Sequence, residues 1–255
     1  MATCISRLNQ DLNCVSEWAA RNKLSINPSK SQCLPVSKRP IDFSALPTIN
    51  LNNQIISFVS KAKNLGVTFD NKLSWNTHIS TAVGKVYGML RTLWSQKHST
   101  PFQVRLLLSK TYLVPTLLYG CELFSNCDSV HKRKLKVLFN NIARYVFNRR
   151  RFQSISAFSK QIYGIDFDNL LKLRNLTLLH KIIYVRKPSY LFQHVRIARS
   201  LRGQTIILPR HSSMLSDRQF FLHSIRLWNE MPNFLQCNNN INSFKKCLKI
   251  HLASQ

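Results

Sequence analysis

The chain has 255 residues, enough for one large domain or two small ones, and its 44% hydrophobic content can bury a core, which excludes wholesale disorder. Lys and Arg number 37 against 10 Asp and Glu, a formal net charge of +27, and such a surplus on a compact body repels itself unless a polyanion relieves it. Six Gly and nine Pro exclude a fibrous or linker-rich chain, and seven scattered cysteines exclude a secreted disulfide framework.

Residues 3–21 carry Ile5, Leu8, Leu12, Val15 and Ala19 at helical spacing, which predicts an amphipathic helix. Asn27-Pro28-Ser29 is a turn that closes the short apolar run at Leu24 and Ile26. Ile49 and Leu51 precede Asn52-Asn53, a pair that accepts the positive φ of a tight hairpin, and Ile55 and Phe58 follow. Leu65, Val67 and Phe69 alternate around Gly66 as a third strand, ended by Asp70-Asn71.

From Trp75 onward the period becomes helical, with Ile79, Val83, Val86, Leu90 and Leu93 on one stripe. Thr100-Pro101 reads as an N-cap followed by proline at the first helical position, opening a helix that runs towards Pro115. Asp128 caps the next helix, in which Leu135, Leu138, Phe139, Ile142, Ala143 and Val146 share one face. Arg133, Lys136, Asn140, Arg144, Asn148 and Arg151 fall on another face, and Arg149, Arg150 and Arg151 gather at the C-terminus, where cations suit the helix dipole. No acidic residue interrupts the basic series from Lys132 to Lys160, so this ridge is the expected nucleic-acid contact rather than ordinary surface charge. A helix over Asp168 to Arg186 is stopped by Pro188, residues 200–218 read as irregular, and helices follow near Phe220–Trp228 and Ser243–Leu252.

The charge is uneven. Residues 1–127 hold 14 Lys and Arg against 5 acids, net +9, whereas residues 128–255 hold 23 against 5, net +18, which makes the C-terminal half the expected docking surface. Nucleic acid is the favoured polyanion and an anionic membrane surface the competitor. The start has no signal pattern, and the longest apolar stretch, around Leu106 to Tyr119, is broken by Lys110 and Pro115, so an intracellular, nuclear or cytoplasmic location is expected.

Phosphoryl transfer needs paired carboxylates to hold Mg²⁺, and the close acidic pair, Asp166-Phe167-Asp168, opens an apolar-periodic helix and reads as a cap. Asp70 and Glu122 are too isolated in sequence to nominate. The series Cys121, Cys127, His131 and Cys237, Cys247, His251 lack the close cysteine pair of a zinc knuckle, and no phosphate loop, zinc-protease helix or nucleophile elbow is present, so no metal, no cofactor and no small-molecule substrate is expected. Among the aromatics interleaved with basic residues, Tyr145 and Phe152 are the candidates for base stacking.

Four blocks, in order, resemble the back half of the reverse transcriptase of non-LTR (LINE-type, jockey-like) retrotransposons. LNQDLNCVSEWAARNKLSINPSKSQ is similar to the helix, turn and strand after the catalytic Asp-Asp loop, and NLGVTFDNKLSWNTHI to the stretch joining primer grip to thumb. KTYLVPTLLYGCELF resembles a thumb helix, and SIRLWNEMPNFLQ with SFKKCLK the C-terminal Trp-Asn…Pro block and closing helix. The resemblance implies that Lys30 falls on the motif D lysine near the leaving pyrophosphate, and that Leu65 and Gly66 lie on the strand supporting the primer end. It also implies that the catalytic Asp residues and their Mg²⁺ site lie upstream of Met1, as in a truncated reading frame.

The expected fold is therefore α+β: a partial polymerase palm with a small antiparallel sheet over residues 1–70, thumb-like helices over 71–127, and a basic helical region over 128–255. The expected function is binding of RNA or an RNA–DNA hybrid without catalysis, through Lys30, Gly66, Arg133, Lys136, Arg144, Arg149, Arg150 and Arg151. Self-association through an exposed palm edge is a further expectation. The alternatives are a part of a split or longer reverse transcriptase, and a remnant without function or a basic helical scaffold.

Overall fold

In a computed structural model that describes residues 2–37, 41–200, 203–210 and 219–254, the chain forms two compact units, Met1–His78 and Ile79–Gln255. In the first, α1 (Ala2–Arg21) buries Ile5 and Ala19 and packs Leu8 and Leu12 against Ile49, Leu51 and Ile56. Val15, expected on the same stripe, stays 49% exposed, because the sheet beneath is only two short strands wide. Those strands, β1 (Ile49–Leu51) and β2 (Gln54–Ile56), pair antiparallel across Asn52 and Asn53, both in the left-handed region as that tight turn demands. Asn9 fastens helix to sheet: its amide donates to Thr48 O at 3.2 Å, and its carbonyl accepts from Asn50 N at 3.1 Å.

Leu24 and Ile26 form no strand. Asn27 accepts from Ser29 N at 3.0 Å and caps the 3₁₀ turn Pro28–Lys30 instead. The third strand also differs from expectation. β3 is Lys61–Asn64 and β4 is Val67–Asp70, so Leu65 and Gly66 are the hairpin tip, with φ 47° and 84°, and not strand residues. Val67 is buried and Phe69 half-buried in β4, but Leu65 has left the ladder and is 85% exposed. Asp70 closes this unit's last turn: Oδ1 accepts from Lys72 N and Ser74 N at 3.0 and 2.9 Å. Burial pushes its carboxyl up, but these bonds and the one from Ser74 Oγ outweigh that and hold it low.

The chain continues through α2 (Asn76–Ser95), whose Val86 and Leu90 are buried as its stripe predicts. α3 (Phe102–Leu108) starts after Pro101, and the Thr100 hydroxyl donates back to Gln96 O at 2.8 Å rather than capping it. Pro115 does not stop the helical path. A π-turn at Ser109–Leu113 widens it, so that α4 (Val114–Leu117) carries Pro115 near its start, where the missing N–H and the ring are tolerated. Gly120, at φ 69°, turns the chain into α5 (Cys121–Phe124).

Two long helices organise the rest. α6 (Ser129–Val146) buries all six predicted seam residues completely and packs on α3, α4 and α7 (Ser156–Tyr163). α8 (Phe167–Val185) packs on α5 and α7 and on the C-terminal helices α10 (Phe220–Asn229) and α12 (Ile241–Ala253). Covered on several sides, it ties buried amides to its neighbours: Asn169 donates to Leu252 O at 2.8 Å and Asn175 to Ser125 Oγ at 2.6 Å.

Between these lie α9 (Ser189–Phe192) and a hairpin of β5 (Arg196–Ser200) and β6 (Gly203–Ile207), so that Ser200 and Gly203–Ile207 are strand where residues 200–218 were expected to be irregular. The Trp-Asn…Pro block accounts for that hairpin. Trp228 is buried against Phe244 and His180, while the Asn229 amide both accepts from Ile206 N and donates to Ile206 O, each at 2.9 Å. Pro232 then starts α11 (Asn233–Gln236), whose Gln236 donates to Trp228 O and Met231 O. Residues 208–210 are irregular as expected, and 201, 202 and 211–218 of that stretch lie outside the described residues. The fold is α+β, with three two-stranded antiparallel sheets among the described residues.

Candidate nucleic-acid interface

The ridge is built on α6, whose start is fixed by Asp128. Its Oδ1 accepts from His131 N at 2.9 Å and meets His131 Nδ1 at 2.6 Å. The end is fixed by Asn148, which adopts φ 53° and lets Arg149 N donate back to Arg144 O at 3.0 Å, a left-handed closing turn. A buried seam between two such caps holds the opposite face outward. Arg133, Lys136, Arg150 and Arg151 are exposed there, while Arg144 and Arg149 are half-buried.

These cations are not equivalent. Asp168, in the first turn of α8, reaches Lys132 Nζ at 3.2 Å and Lys136 Nζ at 2.8 Å. The basic series unbroken in sequence is therefore met by a carboxylate in space, a correction to the expected uniform ridge. The hydrogen bond to Asp168 raises the Lys136 ammonium above its usual range. For Asp168, burial works upward, but the bonds and charges of both lysines prevail and hold it low. Its neighbour Asp166 caps α8, accepting from Asn169 N at 2.8 Å, as the helix-cap reading of this acidic pair requires.

Arg144 donates to Asn141 Oδ1 at 3.2 Å, and Arg149 lies over the Phe158 ring at 4.2 Å. Of the two proposed stacking rings, Phe152 is 95% exposed. Tyr145 is fully buried beside Trp94 and cannot meet a base, because the period that puts it among basic residues also puts it next to the α6 seam.

In the first unit Lys30 is exposed at the end of its 3₁₀ turn and shares a cleft of about 460 Å³ with Lys63 and Asn64. Gly66 sits at the exposed tip of the β3–β4 hairpin. Two groups of cations went unnoticed in the sequence. Arg91 on α2 lines a cleft with Arg144 and Arg151. Arg174 and Lys181 on α8 line a second, of about 670 Å³, with Lys245, Lys246 and Lys249 on α12. The signal was there, since residues 174 and 181, like 245 and 249, are spaced to share a helix face. Glu122 lies at the edge of that second cleft and pairs with Arg174 Nε at 3.3 Å. Cys121 beside it is buried, which pushes its thiol up to about 12.

Among the described residues no three His, Cys, Asp or Glu side chains gather into a cluster that could hold a metal ion. No helix among them is long and apolar enough to cross a membrane.

The chain is 28% identical over 141 residues to a probable RNA-directed DNA polymerase from transposon X-element of Drosophila melanogaster, covering 51% of this chain and 14% of that protein. It is 24% identical over 136 residues to the RNA-directed DNA polymerase from mobile element jockey of the same organism, covering 52% and 14%. A probable RNA-directed DNA polymerase from transposon BS, also of Drosophila melanogaster, is 24% identical over 142 residues, covering 54% and 16%. The matches thus span only a small part of these curated relatives' own length. No family model and no solved structure matches the chain. Over about half its length, this chain is similar to the RNA-directed DNA polymerases of non-LTR retrotransposons, the group its four sequence blocks resemble.

Proposed function

We propose that this chain is a reverse-transcriptase fragment that binds RNA or an RNA–DNA hybrid, independently of sequence and without catalysis, through the basic face of α6 and the turn that follows it. The observation that carries the reading is a fully buried apolar seam on α6, with Arg133 and Lys136 exposed on its other face and Arg150 and Arg151 exposed in the turn that follows. A helix fixed on one side and cationic on the other presents charge to phosphates without ordering its backbone at the moment of binding. Arg144 and Arg149 belong to the same proposed footprint, and Lys30 and Gly66 are proposed as separate contacts of the first unit by itself. The absence of catalysis is supported by the employment of Asp166 as a cap and of Asp168 as a lysine partner.

The test is the salt dependence of binding to single-stranded RNA. Each phosphate neutralised steepens the slope by about 0.7 log unit per log salt, so Arg149→Glu/Arg150→Glu/Arg151→Glu loses roughly two log units of slope. A variant that folds and keeps the original slope removes these residues from the interface.

A second reading, as one part of a longer reverse transcriptase, is favoured by the small share of each relative that the chain matches. Primer extension on joining the chain to a palm that bears the paired aspartates supports it. Self-association through the apolar Val15, Trp18 and Leu24, which the first unit exposes, belongs to the leading reading and is read by sedimentation.

A further inference from the structure

A cleft of about 640 Å³ opens beside the ridge, between α2 and α6, within the range of roughly 300–1,000 Å³ usual for ligand sites. We propose that it receives an unstacked base of a single-stranded nucleic acid, with the adjoining phosphates on the arginines around it. This inference rests on the nucleic-acid reading above and names the form of ligand that the site prefers.

Tyr87, Leu90, Arg91 and Trp94 line one side, three, four and seven residues along α2, and so form a single stripe. Asn141 and Arg144, one turn apart on α6, line the other, and Arg151 comes from the turn beyond. Three guanidinium groups and no carboxylate border the space, so its charge suits a phosphodiester, while Tyr87, Leu90 and Trp94 give it the apolar and aromatic lining a base requires. Phosphate-only contact would need no such lining.

The rings are positioned. Asn141 donates its amide to the Tyr87 hydroxyl at 3.0 Å and accepts from Arg144 Nη1 at 3.2 Å. Trp94 is held by Tyr145 on one side, ring centres 6.1 Å apart, and carries Lys97 Nζ over its ring at 4.6 Å. Tyr87 remains 40% exposed and can take a ring against it. A duplex keeps its bases stacked inside, whereas a single strand can turn one out into such a space.

The test compares fluorescein-labelled oligouridylate with an abasic ribose-phosphate oligomer of the same length, by anisotropy on the full chain. Wild type is expected to bind the base-bearing oligomer about five- to hundredfold more tightly, the usual worth of a stacked base. Tyr87→Ala should lose that preference while keeping the salt slope, and Tyr87→Phe should retain it, with circular dichroism confirming that each variant folds. Equal binding of the two oligomers by wild type, or a preference that survives Tyr87→Ala, overturns the base site and leaves backbone binding standing. Failure of wild type to bind either oligomer overturns both.

Discussion

Asp168 offers the sharpest test of how the ridge is wired, because replacing it by Asn should move stability and binding in opposite directions. The substitution keeps the side-chain shape and removes the charge that Lys132 and Lys136 approach at 3.2 and 2.8 Å. The lysine side chains remain 44% and 52% exposed and the carboxylate 30%, so water screens both pairs. At that exposure each pair is worth about 0.2–1 kcal/mol, and a carboxylate in the first turn of a helix adds roughly 0.3–1 kcal/mol, for a loss of about 0.7–3 kcal/mol in all. Urea unfolding of Asp168→Asn should show this as a lower midpoint with an unchanged m-value. Binding should strengthen, since the Lys132 ammonium is freed to make a new phosphate contact and Lys136, already in the proposed footprint, no longer shares its charge with a carboxylate. The slope of log affinity against log salt should steepen by about 0.7 for each new contact on a single strand. A folded Asp168→Asn protein with an unchanged or shallower slope would refute the placing of Lys132 and Lys136 beside the bound strand.

His223 gives a pH dependence of definite sign. Burial, and then Lys132 on α6, Arg226 on its own helix and Lys172 on α8, lower its imidazole from the ordinary 6.5 to about 4. The unfolded chain thus takes up a proton that the folded one refuses, so this stability is present above pH 6.5 and lost as pH falls towards 4. Between pH 7 and 5 the loss is about 1.8 kcal/mol, reduced to roughly 1 kcal/mol by water at the half-buried ring. His223→Gln should flatten the unfolding midpoint over that interval, and an unaltered acid slope in the variant rules the histidine out. The second basic cleft predicts that Lys245→Glu/Lys246→Glu/Lys249→Glu lowers the salt slope by up to about two log units in single-strand titrations. An unaffected slope confines the footprint to the α6 side.

Helix seams were the most legible feature because their spacing is local. Leu135, Leu138, Phe139, Ile142, Ala143 and Val146 repeat at three and four residues, and each is buried. The Asn52-Asn53 turn was legible for the same reason, since both residues tolerate positive φ. Leu65 was not, because an apolar residue two before Val67 reads as strand, and nothing in its chemistry announces φ 47°. The β5–β6 hairpin was hidden differently: its anchor is the Asn229 amide, 23 residues beyond Ile206. At the interface, sequence spacing placed the cations on one face but could not show which were engaged. Asp168 lies 36 residues after Lys132 in sequence and at hydrogen-bonding distance in space. Tyr145 shows the converse, a ring among arginines in sequence that the seam removes from solvent.

How the few acids are used strengthens the case for an external anion. Asp42, Asp70, Asp128 and Asp166 each accept from backbone N–H groups at turns or helix starts. Glu17, Glu122 and Asp168 form ion pairs with Arg21, Arg174 and the Lys132–Lys136 pair. A fold limiting its own repulsion would set its acids among its arginines, where each would relieve several neighbours. Here most of those named stabilise local backbone instead, so the chain folds with its cationic faces largely uncompensated. Small ions can screen such a face, but a strand of phosphates does so while releasing the counterions condensed on it. That entropy gain requires many unpaired cations on one surface, and it is the end of α6, with Arg150 and Arg151 exposed beyond the reach of Asp168, that supplies them.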